Sequence, residues 1–352
     1  MRIGSLFSGA GGLDLAALEL FPGSSMAWHC EVDAAASKVL AHHWPDVPNL
    51  GDVTAVDWSA AEPVDVLTGG FPCQDVSLAG RRAGLTGESR SGLWSHMAAA
   101  IAVLRPRYVL IENVRGLLSA QAIRGVEPGP DGVGDLGGRP VLRAFGVVLG
   151  DLADLGFDAE WTCLPAAAIG AAHRRERVFV LAFPADSDSD AVRQQPEPES
   201  RRGGAPVAGG DRAAAVALLP TPQACDGNGG KASAALGGFR DSGAKRAVGL
   251  PDAARHLLPT AEGVRFAAAI RRQELASRPA PSPTESGANG GPRLSPAFAE
   301  WLMFWPAGWA TDPAIGLSRT DQLRVIGNGV VPPQAVAAFS QLLLSEREGI
   351  AS

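Results

Sequence analysis

The sequence predicts an α/β fold: an open sheet with helices on both faces, joined to a small irregular domain. Three observations carry that expectation. Short β-like runs alternate with Ala/Leu-rich helical stretches through residues 1–184. The first run, Arg2-Ile3-Gly4-Ser5-Leu6-Phe7, enters Ser8-Gly9-Ala10-Gly11-Gly12 and then a helical stretch at 13–20, the strand–glycine turn–helix context of a nucleotide-binding turn. Residues 185–290, in contrast, show little regular periodicity and frequent glycine and proline. At 352 residues the chain is longer than one core usually serves. The expected division is a first domain of 1–184 completed by 303–352, and a second of 185–302 with its linkers.

The elements follow in order. The glycines of the first turn let backbone approach a ligand, and the helix start beyond them offers free N–H groups. A second strand is expected at 26–32, ending in Glu31 and Asp33. An acid about 20 residues past the glycines is placed to bind ribose hydroxyls. Gly51-Asp52-Val53 brings another carboxylate to the same sheet edge. The run 63–68 leads into Gly69-Gly70-Phe71-Pro72-Cys73-Gln74. Pro72 fixes its own φ and drives Phe71 toward extended geometry, so Cys73 is held at a strand-to-loop corner. A thiol there is a candidate nucleophile if its pKa is lowered; a small buried cysteine in a tight turn is the plainer alternative.

Residues 80–92 are glycine-rich and carry Arg81, Arg82 and Arg90. They read as a loop able to close over a polyanion. A helix is expected at 93–104, then a buried parallel strand at 107–111 ending in Glu112-Asn113-Val114. A carboxylate at the end of a buried strand is costly unless used or paired, and in an open α/β sheet that edge is where ligands bind. Glu112 and Cys73 are therefore expected to face one crevice. A surface loop at 125–139, a helix at 141–155 and a strand at 158–164 follow. In His173-Arg174-Arg175-Glu176-Arg177, the alternation of an extended chain points Arg175 and Arg177 to the same face. Two guanidinium groups on one face suit a phosphate or a carbonyl.

Residues 193–278 hold 13 Lys/Arg against 8 Asp/Glu, although the whole chain carries a net charge of −6. That local excess suits phosphate contact. Segment 294–309, rich in Trp and Phe, is expected to start a core helix with Ser295 as N-cap and Pro296 in its first turn. A closing helix at 333–345 should pack on the first βα unit. The four cysteines are widely spaced, with no CxxC or Cys/His cluster, which argues against a zinc site or a disulfide framework. Apolar runs are too short to span a bilayer, and no signal-peptide apolar region follows Met1. A cytoplasmic monomer without membrane association is expected.

In this order the segments resemble the DNA (cytosine-5) methyltransferase family. The resemblance rests on Leu6-Phe7-Ser8-Gly9-Ala10-Gly11-Gly12-Leu13, Glu31 with Asp33, Gly51-Asp52-Val53, Gly70-Phe71-Pro72-Cys73-Gln74, Glu112-Asn113-Val114, His173 to Arg177, Arg293-Leu294-Ser295-Pro296 with Trp309, and Gly327-Asn328-Gly329-Val330-Val331-Pro332-Pro333. It covers nearly the whole chain except about 185–290. It implies a Rossmann-like S-adenosylmethionine (AdoMet) methyltransferase sheet with a small target recognition domain, acting on C5 of cytosine in duplex DNA at a short specific sequence. Cys73 would add to C6 of a flipped-out cytosine. Glu112 would bind N3 and the exocyclic amine, Arg175 the O2 side, and Arg177 would support the nucleophile and loop. Phe7, Gly9, Gly11, Gly12 and Leu13 would surround the methionine and ribose portions of AdoMet, Glu31 the ribose hydroxyls, and Asp52 with Val53 the adenine. Asn328 would close the pocket. Arg81, Arg82, Arg90 and Arg174 would contact DNA. A cognate restriction endonuclease is an implied partner. His173 stands where the family commonly has glutamine, a change expected to be tolerated, with room for altered phosphate or loop contacts.

An RNA-directed relative with the same pocket, a non-catalytic DNA-binding paralogue and a dehydrogenase are the alternatives. A dehydrogenase would explain the glycine turn and Glu31 but leave Phe-Pro-Cys-Gln and Glu-Asn-Val unused. An amino-methyltransferase would need an Asp/Asn-Pro-Pro-aromatic tetrapeptide where Phe71-Pro72-Cys73 stands.

Overall fold

The computed structural model describes residues 1–72, 92–123, 141–185, 217–228, 249–255, 257, 264–287 and 289–350. Cys73, Arg81, Arg82, Arg90 and the 125–139 segment lie outside the described residues, as does most of 185–248.

Six strands form the main sheet: β1 (Arg2–Leu6), β2 (Ser25–Cys30), β3 (Val66–Gly69), β4 (Tyr108–Val114), β7 (Phe157–Pro165) and β8 (Glu176–Pro184), in the order β2-β1-β3-β4-β8-β7. The first four are parallel, and β8 runs antiparallel to both β4 and β7. The run expected to be a parallel strand is thus parallel on one side only. Strand order reverses between β1 and β3, because the chain steps outward to β2 before returning to β3. An open sheet leaves a crevice beyond the strand ends at such a switch point.

Alternation along β4 shows how the sheet is covered. Val109 and Ile111 join Leu67, Met97, Ile101 and Phe145 in the core on one face. Tyr108 and Leu110 join Val66, Phe179 and Phe339 on the other. The first face is covered by α3 (Gly92–Leu104) and α4 (Ala144–Asp154), the second by α1 (Gly12–Leu20) and α9 (Pro332–Ile350). Each fully buried large side chain contributes about 1.5–3 kcal/mol. The C-terminal helix thereby packs on the first βα unit, through Leu13, Ala16 and Ala17 against Ala335, Ala338 and Phe339.

Some boundaries differ from the sequence reading. The second strand stops at Cys30, because Asp33 caps α2 (Ala34–His43) by accepting from the N–H groups of Ala35 and Ala36. Residues 141–143 form a short strand, β6 (Val141–Arg143), paired antiparallel with β5 (Gln121–Ile123), and α4 begins only after it.

The remaining described segments are α5 (Leu250–Arg255), α6 (Val264–Ala276), the ribbon β9 (Thr284–Ser286) with β10 (Pro292–Leu294), α7 (Pro296–Leu302) and α8 (Arg319–Asn328). Leu219, Leu250, Phe266 and Ala269 share one apolar cluster with Phe298, Trp301, Trp305 and Val39. Core packing therefore runs continuously from the variable segment into α2. The tryptophans also close the glycine turns. Trp309 donates Nε1–H to the Ala10 carbonyl at 2.7 Å, and Trp305 donates to Val330 at 2.8 Å.

Candidate active site

Strand register assembles the site. Leu6 pairs with Cys30 on one side and Gly69 on the other, and Gly69 pairs with Ile111. One residue further along each chain come Phe7, Glu31 and Gly70, just past their strands, and Glu112, still on β4, at a common sheet edge. A cleft of about 680 Å³ lies there, and all four residues line it. That volume is in the range of small-molecule sites. Asp52, Val53 and Asn328 line the same cleft.

At the β1 end, Phe7 is held at φ +52°, a left-handed conformation that a bulky residue rarely adopts. Its N–H bonds the Cys30 carbonyl at 2.9 Å. Gly9 (φ +54°) has open space where a Cβ would stand. Gly11 and Gly12 serve another purpose. A Cβ on Gly11 would meet Trp44 at 2.6 Å, and one on Gly12 would meet the Val330 carbonyl at 2.6 Å. Both glycines permit close packing behind the turn, and Leu13 is core.

Glu31 spans the turn. Its two carboxylate oxygens accept from the N–H groups of Gly9 and Asp33, each at 2.7 Å. Burial pushes its pKa up, and those backbone donors oppose the rise. Asn49 fixes the backbone beside it, accepting from Glu31 N–H and donating to the Glu31 carbonyl, both at 3.0 Å. Asp33 is held from the far end of the chain by Arg324, at 2.5 Å. Burial raises the Asp33 pKa, but the Arg324 and helix-cap hydrogen bonds outweigh it and the net shift is downward. Asp52 is exposed and accepts from the N–H and hydroxyl of Thr54, which lower its pKa.

At the β3–β4 end, the Asn113 side chain donates to the Phe71 carbonyl at 2.9 Å and accepts from Val114 N–H at 2.8 Å. This bond ties the strand carrying Glu112 to the corner before Cys73. The Glu112 carboxylate lies against Gly70, where a Cβ would stand 3.5 Å from Oε2, an ordinary contact. Arg177 Nε bonds the other oxygen, Oε1, at 2.9 Å.

The two arginines expected on one face at the start of β8 separate. Arg177 reaches Glu112. Arg175 (φ +26°) is only 4% exposed, and its guanidinium donates to the carbonyls of Pro222, Gly327 and Gly329. Its Nε has no partner, and burial pushes its pKa down to about 9. Arg174 is exposed and pairs with Glu176 at 3.3 Å. His173 is fully buried and bonds the Leu302 carbonyl at 2.9 Å. Burial drives its pKa down to about 3, so it is a neutral core group. Its backbone also bridges to Leu219 of the variable segment.

Asn113, Arg324 and Asn49 were assigned no role from sequence. Asn113 lies within the quoted Glu-Asn-Val, and its adjacency to Glu112 was the available signal. Arg324 and Asn49 carry no local pattern.

With this geometry in place, comparison with known proteins is informative. A family model described as C-5 cytosine-specific DNA methylase matches residues 1–203. The chain belongs to this family. Among curated relatives, the type II methyltransferase M.HgiBI of Herpetosiphon aurantiacus is 32% identical over 183 residues, covering 51% of this chain and 36% of that protein. M.Eco47II of Escherichia coli is 38% identical over 175 residues, covering 44% and 41%. The chain thus spans less than half the length of these two relatives. The fold also matches that of the S. pombe Dnmt2 methyltransferase structure, with TM-score 0.53 at 13% identity over 98% of this chain and 99% of that one. Within the matched residues, Phe7, Gly9, Glu31, Asp52, Phe71 and Glu112 line the cleft.

Proposed function

We propose that the chain transfers a methyl group from AdoMet to C5 of cytosine in duplex DNA at a short specific sequence. The observation that carries this reading is the Glu112–Arg177 pair at the Phe71–Pro72 corner, in the same cleft as Glu31. The cleft fits the cofactor. Gly9 and Gly51 both have positive φ with open space where a Cβ would stand, so bare backbone faces it. Glu31 would hold the ribose hydroxyls, and each of its oxygens keeps a second lone pair beyond its backbone bond. Phe7 and the Gly9 backbone would shape the methionine side, with Gly11, Gly12 and Leu13 packed behind them to hold the turn, Asp52 and Val53 would shape the adenine side, and Asn328 the rim. When bound, AdoMet supplies an electrophilic methyl group.

The chain's own residues would do the rest. Cytosine C5 is a weak nucleophile. The Cys73 thiolate would add to C6, forming an S–C6 bond and pushing the ring electrons toward C5 and N3. Glu112 faces the site through Oε2 while Arg177 holds Oε1, which suits hydrogen bonding or proton donation at N3 and contact with the exocyclic amine. Because Arg177 sits on Glu112, it is the better placed arginine for the O2 side. Arg175, committed to three backbone carbonyls, would position it. C5 would then take the methyl group as the sulfonium departs as a neutral thioether; loss of the C5 proton to water and cleavage of S–C6 would restore the C5=C6 bond and the thiolate. The base must leave the stack for this chemistry. Arg81, Arg82, Arg90 and Arg174 would hold DNA, and residues 185–302 would read sequence. A cognate restriction endonuclease and a monomeric cytoplasmic enzyme complete the proposal; among the described residues no helix is long and apolar enough to cross a membrane.

The test is incubation of the protein with AdoMet and mixed-sequence DNA, then base-resolution mapping of 5-methylcytosine. Methylation at one short motif that disappears in Cys73→Ala, with AdoMet binding retained, is the expected result. Methylation of tRNA alone would replace DNA by RNA as substrate, and turnover by Cys73→Ala would overturn the nucleophile.

A further inference from the structure

A buried polar row lies beneath the glycine turn. Ser5 pairs with His29 on one side and Thr68 on the other, so the three residues form a row across β2, β1 and β3. All three are at most 1% exposed. Two residues further on, the same chains reach Phe7, Glu31 and Gly70, which line the cleft. The row thus stands about 7 Å behind the cleft edge. Ile3 and Val66, two residues back, belong to the core that α1 covers, so alternation points Ser5 and Thr68 at α1. Asp14, 0% exposed in the first turn of α1, meets them there. Its Oδ1 accepts from the Thr68 hydroxyl at 2.9 Å. Its Oδ2 stands 3.6 Å from His29 Nε2, which makes no hydrogen bond among the described residues.

Burial pushes the Asp14 pKa up, opposed by His29 and by the Ser5 and Thr68 hydroxyls; it pushes the His29 pKa down, opposed by Asp14. Apolar side chains would cover this part of the sheet without that cost, and neither group has a part in the proposed methyl transfer. His29 also leads to Glu31 through its backbone. Its N–H bonds the Pro48 carbonyl at 2.9 Å, and its carbonyl accepts from Leu50 N–H at 2.7 Å. Between those two stands Asn49, which holds the Glu31 backbone. One carboxylate therefore reaches both parts of the cofactor edge: the glycine turn through its own helix, and Glu31 through His29.

We propose that Asp14 is a positioning residue for the cofactor, bridging α1 to β2 and β3 and so fixing the spacing between the turn at 9–12 and Glu31. Hydrogen bonds are directional and hold the helix in one register on the sheet, whereas apolar contact is not directional. The role rests on the AdoMet reading above. It adds to that reading Asp14, one residue beyond the quoted glycine motif, with His29 and Thr68 as its partners.

The test is calorimetric titration with S-adenosylhomocysteine, together with initial rates of tritiated-methyl transfer to mixed-sequence DNA at varied AdoMet. Asp14→Ala should raise the Kd and the AdoMet KM about tenfold, within the usual range of coupling between two sites, and keep kcat at saturating AdoMet. Thr68→Val keeps the side-chain shape and removes one partner; it should raise the Kd by a smaller factor, and it decides the question if Asp14→Ala does not fold. Asp14→Asn keeps an acceptor for Thr68 and offers an N–H to His29, so it should restore the wild-type Kd. Phe339→Leu thins the core on the same sheet face and should lower the melting temperature at wild-type Kd. A wild-type Kd in folded Asp14→Ala, or in Thr68→Val, overturns the role. So does a fall in kcat at unchanged KM, the mark of fewer correctly folded molecules, or an equal rise in Kd in Phe339→Leu, the mark of a generally loosened core. Failure of the unmodified protein to bind S-adenosylhomocysteine overturns the AdoMet reading and this role with it.

Discussion

Asn113→Ala is the sharpest probe of how the site is built. Asn113 is 4% exposed; it makes one bond across the joint between β4 and the Phe71–Pro72 corner and one to its own neighbour Val114. Truncation removes two hydrogen bonds, each worth about 1 kcal/mol net, and strands the Phe71 carbonyl away from water. The expected loss is about 2–4 kcal/mol, seen as a fall in melting temperature of about 4–8 °C. The corner also precedes Cys73 directly. Loss of its anchor should therefore cost turnover about 10²-fold, the size expected when a reacting group shifts by about 1 Å. The cofactor end is built from Glu31, Gly9 and Asp33, which do not contact Asn113, so affinity for S-adenosylhomocysteine should change less than about twofold. Tritiated-methyl transfer, calorimetric titration and thermal melting measure the three quantities. Wild-type turnover together with the expected drop in melting temperature would refute the positioning role. An unchanged melting temperature would refute the hydrogen-bond accounting. Asn113→Asp extends the test. It keeps the acceptor for Val114 but sets an anion against the Phe71 carbonyl, raising the new acid's pKa. Its stability should be highest at low pH and fall as pH rises through that pKa.

The other predictions separate the arginines and use a buried acid. Arg175→Lys removes a planar fork bonded to three carbonyls and should cost about 3 kcal/mol of stability in chemical denaturation, whereas Arg177→Lys should keep stability and lose turnover. The reverse pattern would overturn the division of roles between them. Asp226, 8% exposed, has its pKa pushed from 3.8 to about 6, mainly by burial. A raised carboxyl pKa contributes stability that is fully present below pH 3.8 and is lost as pH rises through about 6. Asp226→Asn should therefore stabilise the protein at pH 7, by at most about 3 kcal/mol, and have little effect at pH 3.5. Melting curves at the two pH values measure it, and equal shifts at both would sink the assignment.

Much of the first half was legible because its signals are local. The alternating strands, the glycine turn and the Pro72 corner each follow from residues a few positions apart. Sheet edge and strand order then bring Glu31 and Glu112 together, since parallel strands of an open sheet end on one side. The variable segment was less legible because its few apolar positions carry no period; they pack into a core shared with Trp301 and Phe298.

By itself, the sequence determined the element types, the motif order and the residues offered to one crevice, since period and steric restriction act within a few residues. Only the tertiary structure decided which of those residues are partners. Arg324 caps Asp33 across 291 positions, and Arg175 turns to Gly327 across 152 rather than to Glu112. His173 becomes a neutral core residue. Such pairings depend on which surfaces meet when α8 and α7 pack onto the sheet, and burial then decides which charges need a partner. No spacing along the chain encodes that choice.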